Sequence, residues 1–291
     1  MIHALLLAHA AIATPALAQT TPAASAASAI VQMDHISIET VGKGDPVVLI
    51  PGLSIGREGW RDTATRLART HRVLMVQVNG FGGSAAGANV RPGLLDGIVA
   101  DLHRAIATEK TPPAVIGHSM GGLVGMMLAA RHPDQVGRLM VVDALPFIGT
   151  IMAAPGATPK SIAPQAAMMR DRVAASPPAP VATADPGGIW SNTAAGRITV
   201  ANWSRTADPR VVAQALYEDM TTDVTPLLPS IAARPFTVVY AAGAGPTVEP
   251  IWTRAYAGSP ATLQPVPGSY HFIMLDQPAA FAAAVDAFLA R

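Results

Sequence analysis

Residues 114–122 read Ala114-Val115-Ile116-Gly117-His118-Ser119-Met120-Gly121-Gly122, a short β-branched run that passes through a serine into an apolar stretch, 120–131, of helical length. A serine at so sharp a strand-to-helix turn needs small residues two positions to either side, because a Cβ there would strike the adjoining strand and helix. Gly117 and Gly121 meet that need. The turn lifts the Ser119 hydroxyl above the sheet and sets the Met120 backbone N–H at a helix start, where the dipole favours negative charge. In that setting a GxSxG pattern marks a nucleophile.

On both sides of this turn, buried runs alternate with helical ones. Residues 36–41 alternate with period two, 46–50 form a continuous apolar run ending in Pro51-Gly52, and 72–78 and 139–142 read as further strands. Residues 60–70 and 94–108 have helical spacing, and the pattern returns later with strands at 236–240 and 262–266 and helices near 251–256 and 279–289. Strands separated by helices indicate an α/β fold with a doubly wound, mostly parallel sheet covered on both faces. Between Ala144 and Thr225 the rhythm fails: Pro, Ala and Met abound and only 210–220 is clearly helical. An insertion of about 80 residues is too long for a plain loop and is read as a helical lid. The expected organisation is a leader at 1–18, a flexible tether at 19–29, core at 30–143, lid at 144–225 and core again at 226–291.

Composition narrows the chemistry. Half of the 291 residues are apolar, enough for one sizeable core. With 20 Lys and Arg against 19 Asp and Glu there is no positive surplus to meet a phosphate backbone, so no nucleic-acid partner is expected. The absence of cysteine removes disulfides, thiolate metal sites and a Cys nucleophile. The Gly-rich run from Gly80 to Gly87 lacks P-loop spacing and its closing Lys, and neither a dinucleotide fingerprint nor a metal motif occurs, so neither cofactor nor metal is expected. The first 18 residues, MIHALLLAHAAIATPALA, have the anatomy of a secretory signal cleaved after Ala18, which predicts export to the periplasm or beyond. No later run reaches the roughly 18 to 20 apolar residues that stable membrane insertion needs.

After residue 30 the chain resembles the α/β-hydrolase fold family, and the resemblance rests on four segments. Besides the serine turn, Ile50-Pro51-Gly52-Leu53-Ser54 resembles the family's oxyanion loop, with Pro51 where His is usual. Asn79-Gly80-Phe81-Gly82-Gly83-Ser84 resembles the turn after the fourth strand, with Asn79 where Asp is common. Gly268-Ser269-Tyr270-His271-Phe272, followed by Leu275-Asp276-Gln277-Pro278, resembles the segment that carries the catalytic histidine.

A serine hydroxyl is a poor nucleophile near neutrality and needs a base, for which histidine has the suitable proton affinity. Of the eight histidines, His3 and His9 fall in the leader and His118 lies inside the turn, where its side chain should point away from Ser119. His35, His71, His103 and His132 fall on strands, helix ends or exposed helix faces; His271 remains, on a loop at the catalytic edge. The N–H groups of Met120 and Leu53 are the candidate oxyanion donors, whether or not a His precedes Gly52, because backbone geometry makes the donor.

The family usually carries its acid after the strand read here at 236–240, but Ala241-Ala242-Gly243-Ala244-Gly245-Pro246-Thr247 offers no carboxylate before Glu249. The family's other placement, the end of the strand after the nucleophile helix, falls on Asp143, 24 residues beyond Ser119. Asp143 is therefore the preferred acid and Glu249 the alternative. Phe147, Met152, Met168, Met169, Trp190 and Trp203 are candidates to wall an acyl pocket, joined by Pro51, Ile55 and Phe81, with Arg57 or Arg91 available to an anionic group. The resemblance implies a serine hydrolase acting on small-molecule carboxylic esters, lactones or aryl esters included. An amidase, an acyltransferase or a non-catalytic binding protein on the same fold is the alternative, and the oligomeric state stays open.

Overall fold

A computed structural model describes residues 29–152, 156–231, 233 and 235–290, so the expected leader and most of the tether lie outside the described residues. Eight strands form one sheet: β1 (Ala29–Gln32), β2 (Ile36–Gly42), β3 (Pro46–Ile50), β4 (Arg72–Val78), β5 (Ala114–His118), β6 (Arg138–Val142), β7 (Phe236–Ala241) and β8 (Thr262–Val266). Their spatial order is β1-β2-β4-β3-β5-β6-β7-β8. β1 and β2 pair antiparallel and β2 joins β4 antiparallel; every pairing from β4 to β8 is parallel. This is the doubly wound, mostly parallel sheet that the alternating runs predict.

The central strands are apolar on both faces because helices cover both. Along β3, Val47 and Leu49 enter one core while Val48 and Ile50 enter the other. The first core takes Trp60 and the apolar residues of α1 (Arg61–Leu67) and α10 (Pro278–Leu289). The second takes α2 (Leu94–Ile106) and α3 (Met120–Arg131). α3 is buried along all but its last two residues, which explains an apolar composition with no polar stripe.

Between β6 and β7 stand four helices, α4 (Gly149–Met152), α5 (Pro159–Ala174), α6 (Ala194–Ser204) and α7 (Pro209–Thr221). They have a small core of their own around Phe147, Ile162, Ala166 and Met220. Local chemistry starts them: Thr158 and Ser161 form a reciprocal capping box before α5, Thr193 caps α6, and Asp208 with Pro209 opens α7. Glu218 ties α7 to the main body by accepting the backbone N–H groups of Gly93, Leu94 and Leu95 at the start of α2. α8 (Glu249–Ala255) joins β7 to β8, and the short α9 (Ile273–Asp276) precedes α10.

Two departures from the sequence expectation have plain causes. Ala29, placed in the tether, opens β1, an edge strand held by backbone pairing rather than by burial: Ile30 and Val31 are 59% and 56% exposed and carry no burial period. α5 and α6 were not anticipated, because among their residues only Ile162, Ala166, Gly196 and Val200 are buried, too narrow a stripe to show as periodicity. Among the described residues no helix is long and apolar enough to cross a membrane.

The contact between α3 and the sheet is the tightest constraint on the site. A Cβ at Gly121 would lie 2.3 Å from the Ile50 carbonyl oxygen and 2.6 Å from that of Pro51; one at Gly117 would lie 2.1 Å from the Gly121 oxygen. All are backbone atoms. Gly121→Ala is expected to destabilise by about 3 kcal/mol or more. Gly83→Ala, at a left-handed position with no atom within 4 Å, should cost only about 1–2 kcal/mol. Urea-denaturation midpoints compare the two, and equal losses would contradict the close approach.

Candidate active site

Ser119 is the N-cap of α3, with φ 54° and ψ −128°, a region that side chains other than glycine's rarely enter. Three non-glycine residues among those described have positive φ, namely Ser54, Ser119 and Asp143, and each follows a strand in the central part of the sheet. Asp143 leaves β6 with its N–H donated to the Val239 carbonyl (2.8 Å), while its Oδ1 accepts the Ala241 N–H (2.8 Å). Its remaining oxygen, Oδ2, accepts a 2.7 Å hydrogen bond from Nδ1–H of His271. That bond fixes the tautomer and leaves Nε2 on the opposite side of the ring, without a proton when the ring is neutral.

Ser119, Met120, Asp143 and His271 line one cavity of about 520 Å³ including its mouth. Among the hydrogen bonds of the described residues none joins the Ser119 hydroxyl to His271; such contacts commonly tighten only once substrate is in place. The rest of the lining is Leu123, Ala144, Leu145, Ile148, Ile151, Asp219 and Trp252. Met120 is the first residue of α3, so no carbonyl of that helix receives its N–H. Leu53 lies in the turn after Pro51-Gly52, and a Cβ at Gly52 would come within 3.1 Å of the Ser119 Cβ. The candidate oxyanion loop therefore lies against the serine.

Glu249, the alternative acid, is exposed in the first turn of α8 and does not bond His271. The loop after β7 offers another reason for the missing carboxylate there. Gly243 donates its N–H to the Ser269 carbonyl, and a Cβ at Gly243 would lie 2.5 Å from that oxygen.

The expected pocket walls need correction. Phe147 is buried in the helical insertion's own core with Met152 and Met169 beside it, Met168 is exposed, and Trp203 packs on Phe272. Trp190 stands edge-on to the His271 ring, centroids 5.4 Å apart, without lining the cavity. Pro51, Ile55 and Phe81 are buried outside it. Arg57 is buried and donates to Glu39 and Ser37, while Arg91 borders a separate depression. Asn79 serves structure: its Nδ2 donates to the Met33 and Asp34 carbonyls. His35 meets Asn89, His71 meets Thr70, and His103 meets Gln135 and stacks on His132, all away from the cavity.

Three supports of the site escaped the sequence reading. His118 is buried, and its Nε2–H donates to the His271 carbonyl at 2.9 Å. Burial, followed by the neighbouring His271, holds its pKa well below the usual value, so it is a neutral strut between the serine turn and the loop that carries His271. Asp276 accepts the Tyr270 N–H (2.7 Å) and the Asn192 N–H, and the Phe272 N–H reaches the Trp190 carbonyl. The helical insertion thus clamps the loop that carries His271. The third is Asp219 on α7, a carboxyl that burial pushes up to about 7, the His271 charge working in the other direction. Nothing in the linear order connects residue 219 with Ser119.

Comparison with known proteins gives concordant results. The profile of the Alpha/beta hydrolase family matches residues 47–284. A pimeloyl-[acyl-carrier protein] methyl ester esterase of Aeromonas hydrophila is 32% identical over 128 residues, 44% of this chain and 49% of its own. The chain thus matches about half the length of that relative. An esterase from Thermogutta terrifontis superposes with a TM-score of 0.71 at 21% identity, covering 90% of this chain and 98% of that one. An enol-lactonase from Burkholderia xenovorans superposes with a TM-score of 0.65 at 21% identity, covering 88% and 96%.

The geometry makes a prediction that needs no substrate. A fluorophosphonate should label Ser119, as read by mass spectrometry. Asp143→Asn is expected to slow labelling by on the order of 10³-fold or more, since it disturbs the imidazole tautomer. Glu249→Gln should leave the rate within about twofold, because the group is solvated and apart from the ring.

Proposed function

The chain belongs to the alpha/beta hydrolase family, and we propose that within it the protein is a serine hydrolase that cleaves small or medium carboxylic esters through an acyl-enzyme on Ser119. The observation that carries this reading is the 2.7 Å bond from His271 Nδ1–H to Asp143, with Ser119 in the lining of the same cavity. The methyl ester esterase of Aeromonas hydrophila supports an ester as the bond attacked.

The steps follow from the parts. His271 Nε2 takes the Ser119 proton while Oγ attacks the carbonyl carbon, and Asp143 stabilises the imidazolium so formed. The tetrahedral oxyanion is received by the N–H groups of Met120 and Leu53, and loss of one such donor costs on the order of 3 kcal/mol. Collapse of the intermediate breaks the bond to the alcohol oxygen, which leaves with the proton carried by His271. Water, deprotonated by the same nitrogen, then attacks the acyl-enzyme and releases the acid. Leu123, Leu145, Ile148, Ile151 and Trp252 give the cavity apolar walls suited to a short acyl chain. No step requires a metal or a redox group.

A series of p-nitrophenyl esters from acetate to decanoate tests this. The short members are expected to turn over best, with kcat/KM falling as the acyl chain outgrows the cavity. Ser119→Ala should reduce kcat by about 10⁴-fold or more. Folded protein that releases no p-nitrophenol at any chain length, or a Ser119→Ala variant that keeps its activity, would sink the proposal.

A further inference from the structure

We propose that Asp219 selects the substrate, and that the site favours esters carrying a basic, cationic nitrogen near the scissile bond. The inference rests on the ester-hydrolase reading above and names the class of ester that the same cavity takes.

Two adjacent acids on α7 behave differently. Glu218 is satisfied by three backbone N–H groups at the start of α2 and by the Gln214 side chain. Asp219, one residue on and so turned by about 100° around the helix, lies in the cavity lining beside Ile148, Ile151 and Leu145. Among the described residues, no hydrogen bond or ion pair reaches its carboxyl, and no Lys or Arg lines the cavity. A half-buried carboxyl set among apolar walls, with no protein donor to meet it, loses part of its hydration and gains nothing from the protein in return. Groups held in that way concentrate where a ligand supplies the missing partner.

The sign of the missing partner follows from the lining. Its ionisable groups are Asp143, Asp219 and His271. Asp143 is already engaged by His271 and Ala241, so its charge is spoken for. With His271 neutral, as a base must be, and Asp219 ionised above its raised pKa of about 7, the cavity holds negative charge and no Lys or Arg to offset it. An ammonium group on the substrate would supply both the charge and the donor, whereas an acyl group ending in a carboxylate would be repelled. Asp219 would hold the amine end in place while the ester carbonyl meets Ser119.

Matched pairs of esters test the assignment by pH-stat at pH 7.5. One pair places the nitrogen in the alcohol, 2-(dimethylamino)ethyl acetate against 3-methylbutyl acetate; the other places it in the acid, ethyl 3-(dimethylamino)propionate against ethyl 4-methylpentanoate. In at least one pair the wild-type protein is expected to prefer the cation by tenfold or more in kcat/KM. In Asp219→Asn that ratio should fall by at least tenfold, with the neutral ester gaining as the unpaired charge leaves the cavity. A ratio near one in both pairs, or one that Asp219→Asn leaves unchanged, overturns the proposal, as does an equal fall for both members of each pair.

A second measurement keeps the proposal falsifiable apart from turnover. Calorimetric titration with 3-methylbutylammonium and with 4-methylpentan-1-ol should show tighter binding of the cation, lost in Asp219→Asn; equal binding of the two overturns it. If none of the p-nitrophenyl esters is cleaved yet the ammonium binds selectively, the hydrolase reading fails and the assignment of Asp219 stands. Asp219→Asn should also keep or raise the urea midpoint, whereas a carboxylate retained for structure would lower it.

Discussion

The structure turns on how closely α3 approaches the sheet. At Gly117 and Gly121 the helix and the strands β3 and β5 meet backbone to backbone, with no room for a methyl group. That approach holds Ser119 at φ 54° and ψ −128°, a conformation costing on the order of 1–3 kcal/mol on its own. The strain is affordable because α3 is buried along nearly its full length between strands and helices, so relaxing one residue would displace a whole element. Packing, not the local preference of serine, sets the position of Ser119. The same closeness brings the 50–54 loop against the serine, so the candidate oxyanion donors and the hydroxyl are consequences of one contact.

The pairing of Asp143 with His271 illustrates how a fold can meet a geometric demand by an alternative route. What His271 requires is a carboxylate oxygen on the Nδ1 side of its ring; which strand delivers it is immaterial to the chemistry. The tip of β7 is occupied by a backbone contact, Gly243 to Ser269, that leaves no space for a side chain at that residue. The tip of β6 lies next to β7 in the sheet, and Asp143 there adopts a left-handed φ of 49°, held by bonds to Val239 and Ala241 of β7 itself. The Tyr256 hydroxyl donates to the Ala144 carbonyl at 2.6 Å and secures the chain just beyond it. The rigidity of β6 and β7 thus aims the carboxylate, and a second backbone strain is accepted in exchange.

Most of the sheet was legible because its determinants are local. The runs 46–50 and 72–78 and the helix 120–131 coincide with β3, β4 and α3, since each is a mainly apolar stretch bounded by glycine, proline or charge, and 262–266 coincides with β8 at the sheet edge. β1 was not legible, being made by pairing rather than by burial, and neither were α5 and α6, whose buried stripes are only a few residues wide. The site divides in the same way. Ser119, His271 and the choice between Asp143 and Glu249 could be posed from the sequence, because turn chemistry and proton affinity belong to residues one at a time. The cavity walls were misassigned for the opposite reason: large apolar side chains such as Phe147 and Trp203 find partners within the insertion and on Phe272, and the smaller Leu145, Ile148 and Ile151 are left to face the serine.

Charge placement separates the scaffold from the site. Away from the cavity, buried and half-buried carboxylates are met by donors: Glu39 by Arg57 and Arg61, Asp101 by Arg104 and the N–H groups of His35 and Ile36, and the half-buried Glu218 by the first turn of α2. This is the ordinary condition for a charge taken out of water. At the carboxyl edge of the sheet the condition is relaxed, with two strained residues beside Ser119's cavity and one carboxyl without a partner. Helix α7 spans the two regimes within a single turn, since Glu218 anchors it to α2 and Asp219 faces the cavity. A helix fixed so firmly through one acid can hold the next in an unfavourable place, and the stability of the scaffold thereby keeps a carboxyl of raised pKa in the cavity that Ser119 lines.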